Sequence, residues 1–505
     1  MSQITAAKDS GFSMDQYLAT GFRKLLYNGL ICQLIYFVAL FFVLLQEQYL
    51  LTTLNGYFHI HNAVRTFPFV FMVLYEFPEF FEQFFTNKKM ASYVNGQNIQ
   101  DINRKEFATN FIFAVLMIAI PAAQPVIFST LKVDSEYKSM FLLSTTLGLI
   151  EPFKSTVYSV FSLKQNYLYI LVGKMTTLII HFFLYSYIYS FQSRNSGDID
   201  TWASGFAKPF ADIVIHVILL ITLFRGSIFS TRIALDADQT SKISLIPRKG
   251  DWKETGKNLL AFLQYLVFFV SRPVVYIFVA YKINNLKNEA KKQSATLDLY
   301  VYMICQQIFS LIAKGANSAI MTVMPLAFHQ KQYTKMRLLI SYGCLLLCVF
   351  LELLALVLVT KSDLVFTLII NKNLDPVLLS YFTNGEYKTV LKRTAFLFGT
   401  DVYQHATNTF AYITGKHYIP MLIGILRIVG GVYFIINVDS ALGQNASYTD
   451  VFFYFELLCT VLAIIFCMQS FISMFADYKN GNKKNADKNE KQKEKDKKAE
   501  EFMVQ

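Results

Sequence analysis

The chain has 505 residues, 54% hydrophobic, 16% aromatic and only 16% charged, with a formal net charge of +12. A soluble domain carries about 25% charged residues. The shortfall, a mean hydropathy of +0.37 and apolar residues gathered in long blocks exclude a soluble globular domain and place the sequence among multispanning membrane proteins.

Phe (48) and Tyr (30) are abundant, as expected of lipid-facing bulk and interfacial belts. The positive excess fits membrane topology and anionic headgroups rather than nucleic acid. The six cysteines (Cys32, Cys305, Cys344, Cys348, Cys459, Cys467) all lie in apolar segments without metal-site spacing. Buried thiols are expected, with neither disulfide framework nor zinc.

Residues 1–24 read as a cytosolic N-terminal segment. Asp9, Asp15 and the single early Lys8 match neither a secretory signal nor a mitochondrial presequence, so the first apolar helix is expected to serve as the insertion signal. A spanning helix needs about 20 mostly apolar residues. Spans are predicted at 25–45, 65–86, 107–130, 137–161, 166–190, 203–224, 258–281, 298–327, 338–360, 387–413, 417–438 and 450–475. The expected fold is an all-α membrane protein of about twelve transmembrane helices in two pseudo-symmetric six-helix lobes. The first lobe covers 25–224 and the second 258–475. A polar, basic cytosolic linker at 225–257 joins them. The tail 476–505, almost purely Lys, Asn, Asp, Glu and Gln, cannot bury apolar surface and is expected to be disordered. It lacks interleaved aromatics, so no nucleic-acid partner is expected.

Along this frame, Glu76, Glu79 and Glu82 in the second span fall at i, i+3, i+6, on one helix stripe. Neighbouring acids there either hold a proton between them or emerge solvated at the cytosolic edge. Glu76 is the deepest. His59 and His61 precede this span, without the partners a metal site needs.

The stretch 148–190 reads as two apolar helices around a short polar link at 164–166, interrupted by Glu151, Lys154, Lys174 and His181. Its plan returns 252 residues later, Lys164 falling on Lys416 in the stretch 399–436. Glu151 then falls near Asp401, and Lys174 next to Arg427. A second echo pairs Asp134 with Asp375, each after an apolar VIF or LVF turn. A unit that occurs twice, half a chain apart, suggests a transporter built from two copies.

Lys and Arg concentrate on the side that carries both termini, which places the termini in the cytosol. The sequon Asn445-Ala446-Ser447 lies on the predicted outer side and makes Asn445 a glycosylation candidate.

These positions resemble the multidrug and toxic compound extrusion (MATE) transporters, part of a larger group that includes lipid-linked sugar flippases. Asp134–Glu136 and Asp375-Pro376 look like the acidic stretch before that family's fourth and tenth spans. The turns 162–169 and 414–420 (TGKHYIP) look like those after them. The resemblance covers roughly residues 25–475 in pattern and spacing. It implies twelve spans in two lobes, alternating access and proton or sodium coupling. It does not carry over the coupling acid that members often have in the first or seventh span. The first span here has none, and the seventh carries Arg272-Pro273 instead.

A charge in the hydrocarbon costs about 3 kcal/mol or more, so intramembrane ionisable residues are the site candidates. The wider set is Glu151, Lys154, Lys174, Asp212, Lys314, Glu352, Asp401, Arg427 and Glu456. Glu151 and Lys154, three apart, share a face and can neutralise each other, with Pro152 opening the backbone between them. They are either functional or a structural pair. Asp401 and His405 form an i, i+4 pair that either relays a proton or faces water at a helix end. Lys174 and Arg427 either make a cavity attractive to anions or lock helices together. The ion-coupling or cavity candidates are therefore Glu76, Glu151, Lys154, Lys174, Asp401, His405 and Arg427.

There is no Gly-rich phosphate loop, nucleophile elbow or HExxH, so no enzyme activity, cofactor or bound metal is expected beyond a coupling proton or Na+. The leading expectation is a monomeric secondary transporter that exports a small organic solute from the plasma membrane or an endomembrane, with membrane lipids around it. The alternatives are a flippase for a lipid-linked or phosphorylated substrate, favoured by a cationic cavity, and a transporter-derived, non-transporting subunit of a membrane complex.

Overall fold

The structure is a computed structural model. It describes residues 38, 42, 45, 51, 56–71, 81–82, 84–89, 99–163, 167–195, 202–225, 248–329, 336, 344–362, 376–394, 401–437, 448–450, 454–466, 468–469 and 472. All regular structure among them is helical. In chain order the helices are α1 (Gly56–Phe71), α2 (Ile99–Met117), α3 (Gln124–Leu131), α4 (Lys138–Leu147), α5 (Glu151–Leu163), α6 (Tyr167–Asn195), α7 (Trp202–Arg225), α8 (Asp251–Asn284), α9 (Glu289–His329), α10 (Cys344–Thr360), α11 (Pro376–Thr383), α12 (Tyr387–Thr394), α13 (Asp401–Ile413) and α14 (Tyr418–Ile436). Residues 454–466 are also helical and are termed α15.

Five stretches among the described residues are long and apolar enough to cross a membrane: Arg104–Ala122, Ile170–Ile188, Asp251–Asn284, Tyr418–Ile436 and Tyr448–Phe466. At 1.5 Å per residue a 19-residue helix spans about 28 Å, close to the hydrocarbon thickness. No more than half of any of these stretches is buried within the protein. Their outward faces carry large apolar side chains such as Phe183, Tyr187, Val429 and Tyr433, each at least 60% exposed. The interior holds charged groups instead, including Arg65, Lys89, Glu106, Glu151, Asp212, Arg427 and Glu456. This inverts the soluble pattern and fits a lipid solvent. The chain is a predominantly α-helical, multi-pass integral membrane protein.

Several helices outrun their predicted spans. α1 begins at Gly56 rather than 65, α8 at Asp251 rather than 258, and α9 at Glu289 rather than 298. Hydropathy registers only the hydrocarbon-crossing part, whereas backbone hydrogen bonding continues through polar turns beyond it. The predicted span 137–161 is divided. α4 ends at Leu147, a 3-10 turn covers Gly148–Ile150, and α5 starts at Glu151. Pro152 thus sits in the first turn of α5, where its missing N–H has no intrahelical partner to lose.

α8 is the seam of the molecule. It packs most extensively on α14 and also touches α1, α2, α3 and α9. Gly424 permits the α8–α14 approach, since a Cβ there would stand 2.6 Å from the Val267 carbonyl oxygen. α6 packs on α7, and α7 on α4 and α5. The Phe42–Phe182 ring contact at 5.2 Å joins the first and fifth predicted spans as α8 and α14 join the seventh and eleventh.

Candidate functional site

Among the described residues, two buried charge clusters and a small cavity lie within the helices, besides the fully buried Lys89–Glu106 pair at 2.6 Å. The first cluster joins α5 and α7. Lys208, Asp212 and His216 recur at i, i+4, i+8 on α7 and therefore share one face. Asp212 is held from both sides, Oδ1 at 2.7 Å from Lys154 Nζ and Oδ2 at 2.9 Å from Lys208 Nζ. Lys154 also pairs with Glu151, the i, i+3 contact expected from spacing. Glu151 and Asp212 are 3% and 6% exposed. His181 from α6 and His216 are buried against this cluster. Beside it, Lys174 lies 3.8 Å from Glu82, with its ammonium 5.4 Å from the Tyr158 ring centroid.

The second cluster joins α8, α13, α14 and α15. The Glu456 carboxylate takes both Nε and Nη2 of Arg272, each at 2.9 Å, and lies 3.0 Å from Nε of Arg427. Arg427 also donates to Ser271 Oγ at 2.8 Å and to Gln404 Oε1 at 2.5 Å. The Gln404 amide is fully used: its nitrogen donates to Glu456 at 3.0 Å and to Thr460 Oγ1 at 2.9 Å. The Arg427 guanidinium also stands 4.9 Å from the Phe268 ring centroid, a cation–π contact. Bidentate arginine contacts of this kind fix geometry as well as charge.

A small cavity of about 30 Å³ is lined by Phe67 and Pro68 of α1, Arg272, Pro273 and Tyr276 of α8, and Met303, Gln306 and Gln307 of α9. Its polar wall includes Arg272, anchored from behind by Glu456, and Gln306, which accepts a hydrogen bond from the Tyr276 hydroxyl. Arg272 connects this space to the second cluster.

Both ends of α8 are tied to the N-terminal half. At its start, Arg104 Nε lies 3.2 Å from Asp251, Lys88 lies 3.7 Å from Glu254, and Lys105 also pairs with Glu254. Above these contacts Phe262 packs on Phe81 and Phe84 with centroids 4.3 and 4.4 Å apart. The Tyr412 hydroxyl donates to the Phe84 carbonyl at 3.1 Å, and its ring meets Tyr265 and His417. Burial and the neighbouring Lys88 charge hold the His417 imidazole below its usual range. At the far end of α8, about 50 Å away by helical rise, Asn284 accepts from Arg65 Nη2 at 2.5 Å and donates to the Leu131 carbonyl.

The predicted residues fall as follows. Glu151 and Lys154 meet each other and Asp212. Lys174 sits beside Glu82 and Tyr158, and Arg427 lies within the second cluster. His405 is half-buried on α13, its carbonyl accepting from Thr409 Oγ1 at 3.0 Å. Glu76, Asn445 and Asp375 lie outside the described residues, as do the side chains of Asp401 and Lys314. Asp134 pairs with Asn62, whose amide donates to it at 2.8 Å and accepts its backbone N–H at 3.0 Å. Composition and spacing did not single out Gln404, Thr460, His216 or the cavity position of Arg272. The i, i+4, i+8 face of α7 was readable, but its neighbours on α5 and α6 were not.

No family model matches the chain, and no curated protein sequence matches it. Solved structures do. An outward-facing MATE transporter of the MOP superfamily superposes with a TM-score of 0.69 at 11% identity, over 91% of this chain and 98% of that one. An inward-facing MATE transporter of that superfamily gives 0.60 at 12% identity, over 88% and 96%. A MOP-superfamily transporter from Pyrococcus furiosus, described as having a binding pocket of reversed polarity, gives 0.68 at 11% identity, over 90% and 96%. With likeness running almost end to end in both members of each pair, the chain has the fold of the MATE transporters of the MOP superfamily.

Proposed function

We propose that this protein is a secondary active transporter of the MATE type, moving an organic solute by alternating access and drawing on a proton or sodium gradient. The observation that carries the reading is the fold match over nine-tenths of the chain, supported by buried ionisable groups inside a lipid-facing helical bundle. Buried charges in a membrane are expensive and mark ion or substrate pathways. In this reading the lobes are residues 25–224 and 258–475, joined by the cytosolic linker 225–257, with both termini cytosolic. The contacts at the start of α8 then close the cytosolic side, and the Arg65–Asn284 contact bridges the lobes on the outer side. Glu151 and Lys154, together with Asp212, are the coupling candidates. Asp401, His405 and Glu76 stand as further ones, and Lys174 and Arg427 set charge near the pathway. The protein works as a monomer among membrane lipids, without enzyme chemistry.

Arg272 at the cavity wall favours a second reading, a flippase for a lipid-linked or phosphorylated substrate, because arginine is suited to phosphate oxygens. Purified protein in liposomes, given an inward or outward pH or sodium gradient, separates the two. Gradient-driven movement of fluorescent organic solutes supports the transporter. Movement of a headgroup-labelled phospholipid alone supports the flippase. Failure of every probe with every gradient refutes both.

A further inference from the structure

We infer that the outward face of the chain over residues 248–263, at the start of α8, is a docking surface for an anionic phospholipid, whose phosphate is taken by Arg248, Lys249, Lys253 and Lys257. The inference goes beyond the transporter reading and does not depend on it. It requires only that α8 spans the membrane, as its length and composition allow.

Charge is sorted around the start of this helix. Residues 248–257 carry six ionisable groups: Arg248, Lys249, Asp251, Lys253, Glu254 and Lys257. The two acids are turned toward the N-terminal half. Asp251 is buried and held by Arg104 at 3.2 Å. Glu254 is half-exposed and faces Lys88 at 3.7 Å and Lys105. The four bases are exposed. None of their side chains has an ion-pair or hydrogen-bond partner among the described residues. Lys257 stands near Lys88, whose charge adds to the positive excess.

The apolar pattern sets the depth. Trp252, Gly256, Leu260 and Leu263 follow the helical period on one exposed face. Trp252 is 49% exposed, Leu260 62% and Leu263 40%. Trp252 and Leu260 lie about 12 Å apart along the axis. Tryptophan favours the headgroup level and leucine the hydrocarbon, so the bases around Trp252 stand at phosphate depth. Between them, a Cβ added to Gly256 would meet nothing within 4 Å. Glycine is a poor helix former, and no neighbouring atom requires it here. Its missing side chain leaves a shallow notch beside Lys253 and Lys257 where a headgroup can reach the helix. An acidic peptide would match the bases but not the leucines below them. A zwitterionic lipid would match the leucines but not four unneutralised bases. An anionic phospholipid matches both. In the orientation proposed above, the cytosolic leaflet supplies it, and the bound lipid holds the start of α8 at the membrane surface.

The full chain with Trp202→Phe keeps Trp252 as its single tryptophan. It is placed in symmetric nanodiscs, so neither orientation nor transport enters the measurement. Trp252 fluorescence is quenched with phosphatidylglycerol or phosphatidylcholine brominated near the glycerol end of the chains. At equal mole fraction, phosphatidylglycerol should be preferred at least about fivefold, the factor that one basic residue supplies at an anionic surface. The Arg248→Gln/Lys249→Gln/Lys253→Gln/Lys257→Gln variant should bring that preference near one. Lys287→Gln/Lys291→Gln, at two exposed lysines beyond the other end of α8, should leave it unchanged. Exchange of chloride for inorganic phosphate at matched ionic strength should also leave it unchanged. If Trp202→Phe does not fold, native mass spectrometry of the unaltered chain measures bound phosphatidylglycerol, which the quadruple variant should lose. Equal quenching by both lipids, a preference or bound lipid that survives the quadruple variant, or a preference abolished by Lys287→Gln/Lys291→Gln or by soluble phosphate would each overturn the inference.

Discussion

The two buried clusters solve the same problem with different chemistry. In the N-terminal half, Lys154 bridges Glu151 and Asp212 while Lys208 takes the second Asp212 oxygen, beside the buried imidazoles of His181 and His216. In the C-terminal half, two arginines share one carboxylate, and a glutamine amide spends every group it has. Lysine is a compact point charge on a flexible stem and can change partner; the arginine fork cannot do so without breaking several bonds together. The first cluster is built to rearrange, and the second to brace α8 against α14 and α15 beside the cavity. In both halves a carboxylate from a late helix, Asp212 or Glu456, meets an earlier one, α5 or α13.

The hardest test of this contrast is Glu456→Ala. It strands two arginines in a dry site and should cost about 3–5 kcal/mol, measured as a large fall in melting temperature in nanodiscs. A loss comparable to that of a surface substitution would remove the brace from the comparison. Next in size is a pair of glycines at matching places. Gly424→Ala drives a Cβ to 2.6 Å from backbone and should cost about 1–3 kcal/mol. Gly173→Ala meets only side chains, the tightest being Leu219 at 3.1 Å, and should cost less than half as much, because a side chain can turn aside.

Glu151→Gln leaves Lys154 its contact with Asp212, so stability should fall by only about 1–2 kcal/mol, while the pH–rate profile of transport shifts. Unchanged pH dependence in both Glu151→Gln and Asp401→Asn would exclude these two residues from proton handling. Tyr412→Phe deletes the bond to the Phe84 carbonyl and should cost about 1 kcal/mol, read from denaturation in mixed detergent. The smallest effect expected is at His417. Its pKa lies below the ordinary 6.5, so the unfolded chain binds more protons below that pH. Its contribution is complete above pH 6.5 and diminishes as pH falls from there. His417→Gln should flatten that part of the melting temperature–pH curve.

The sequence alone determined the solvent and the helical class. Long apolar blocks can satisfy their backbones in lipid only as helices, and the 252-residue echo needs no coordinates. It also determined the Glu151–Lys154 contact, because three residues on a helix return to the same face. Tertiary structure decided which distant charges meet. Asp212 joins Lys154 from another helix, and Arg272, which stands where the family pattern led one to look for an acid, joins Glu456 across 184 residues. No local period encodes such partners. The α7–α5 packing brings Asp212 to Lys154, and the α8–α14 approach at Gly424 sets Arg272 and Arg427 around Glu456, each pairing favoured by the cost of leaving a charge unpaired in lipid.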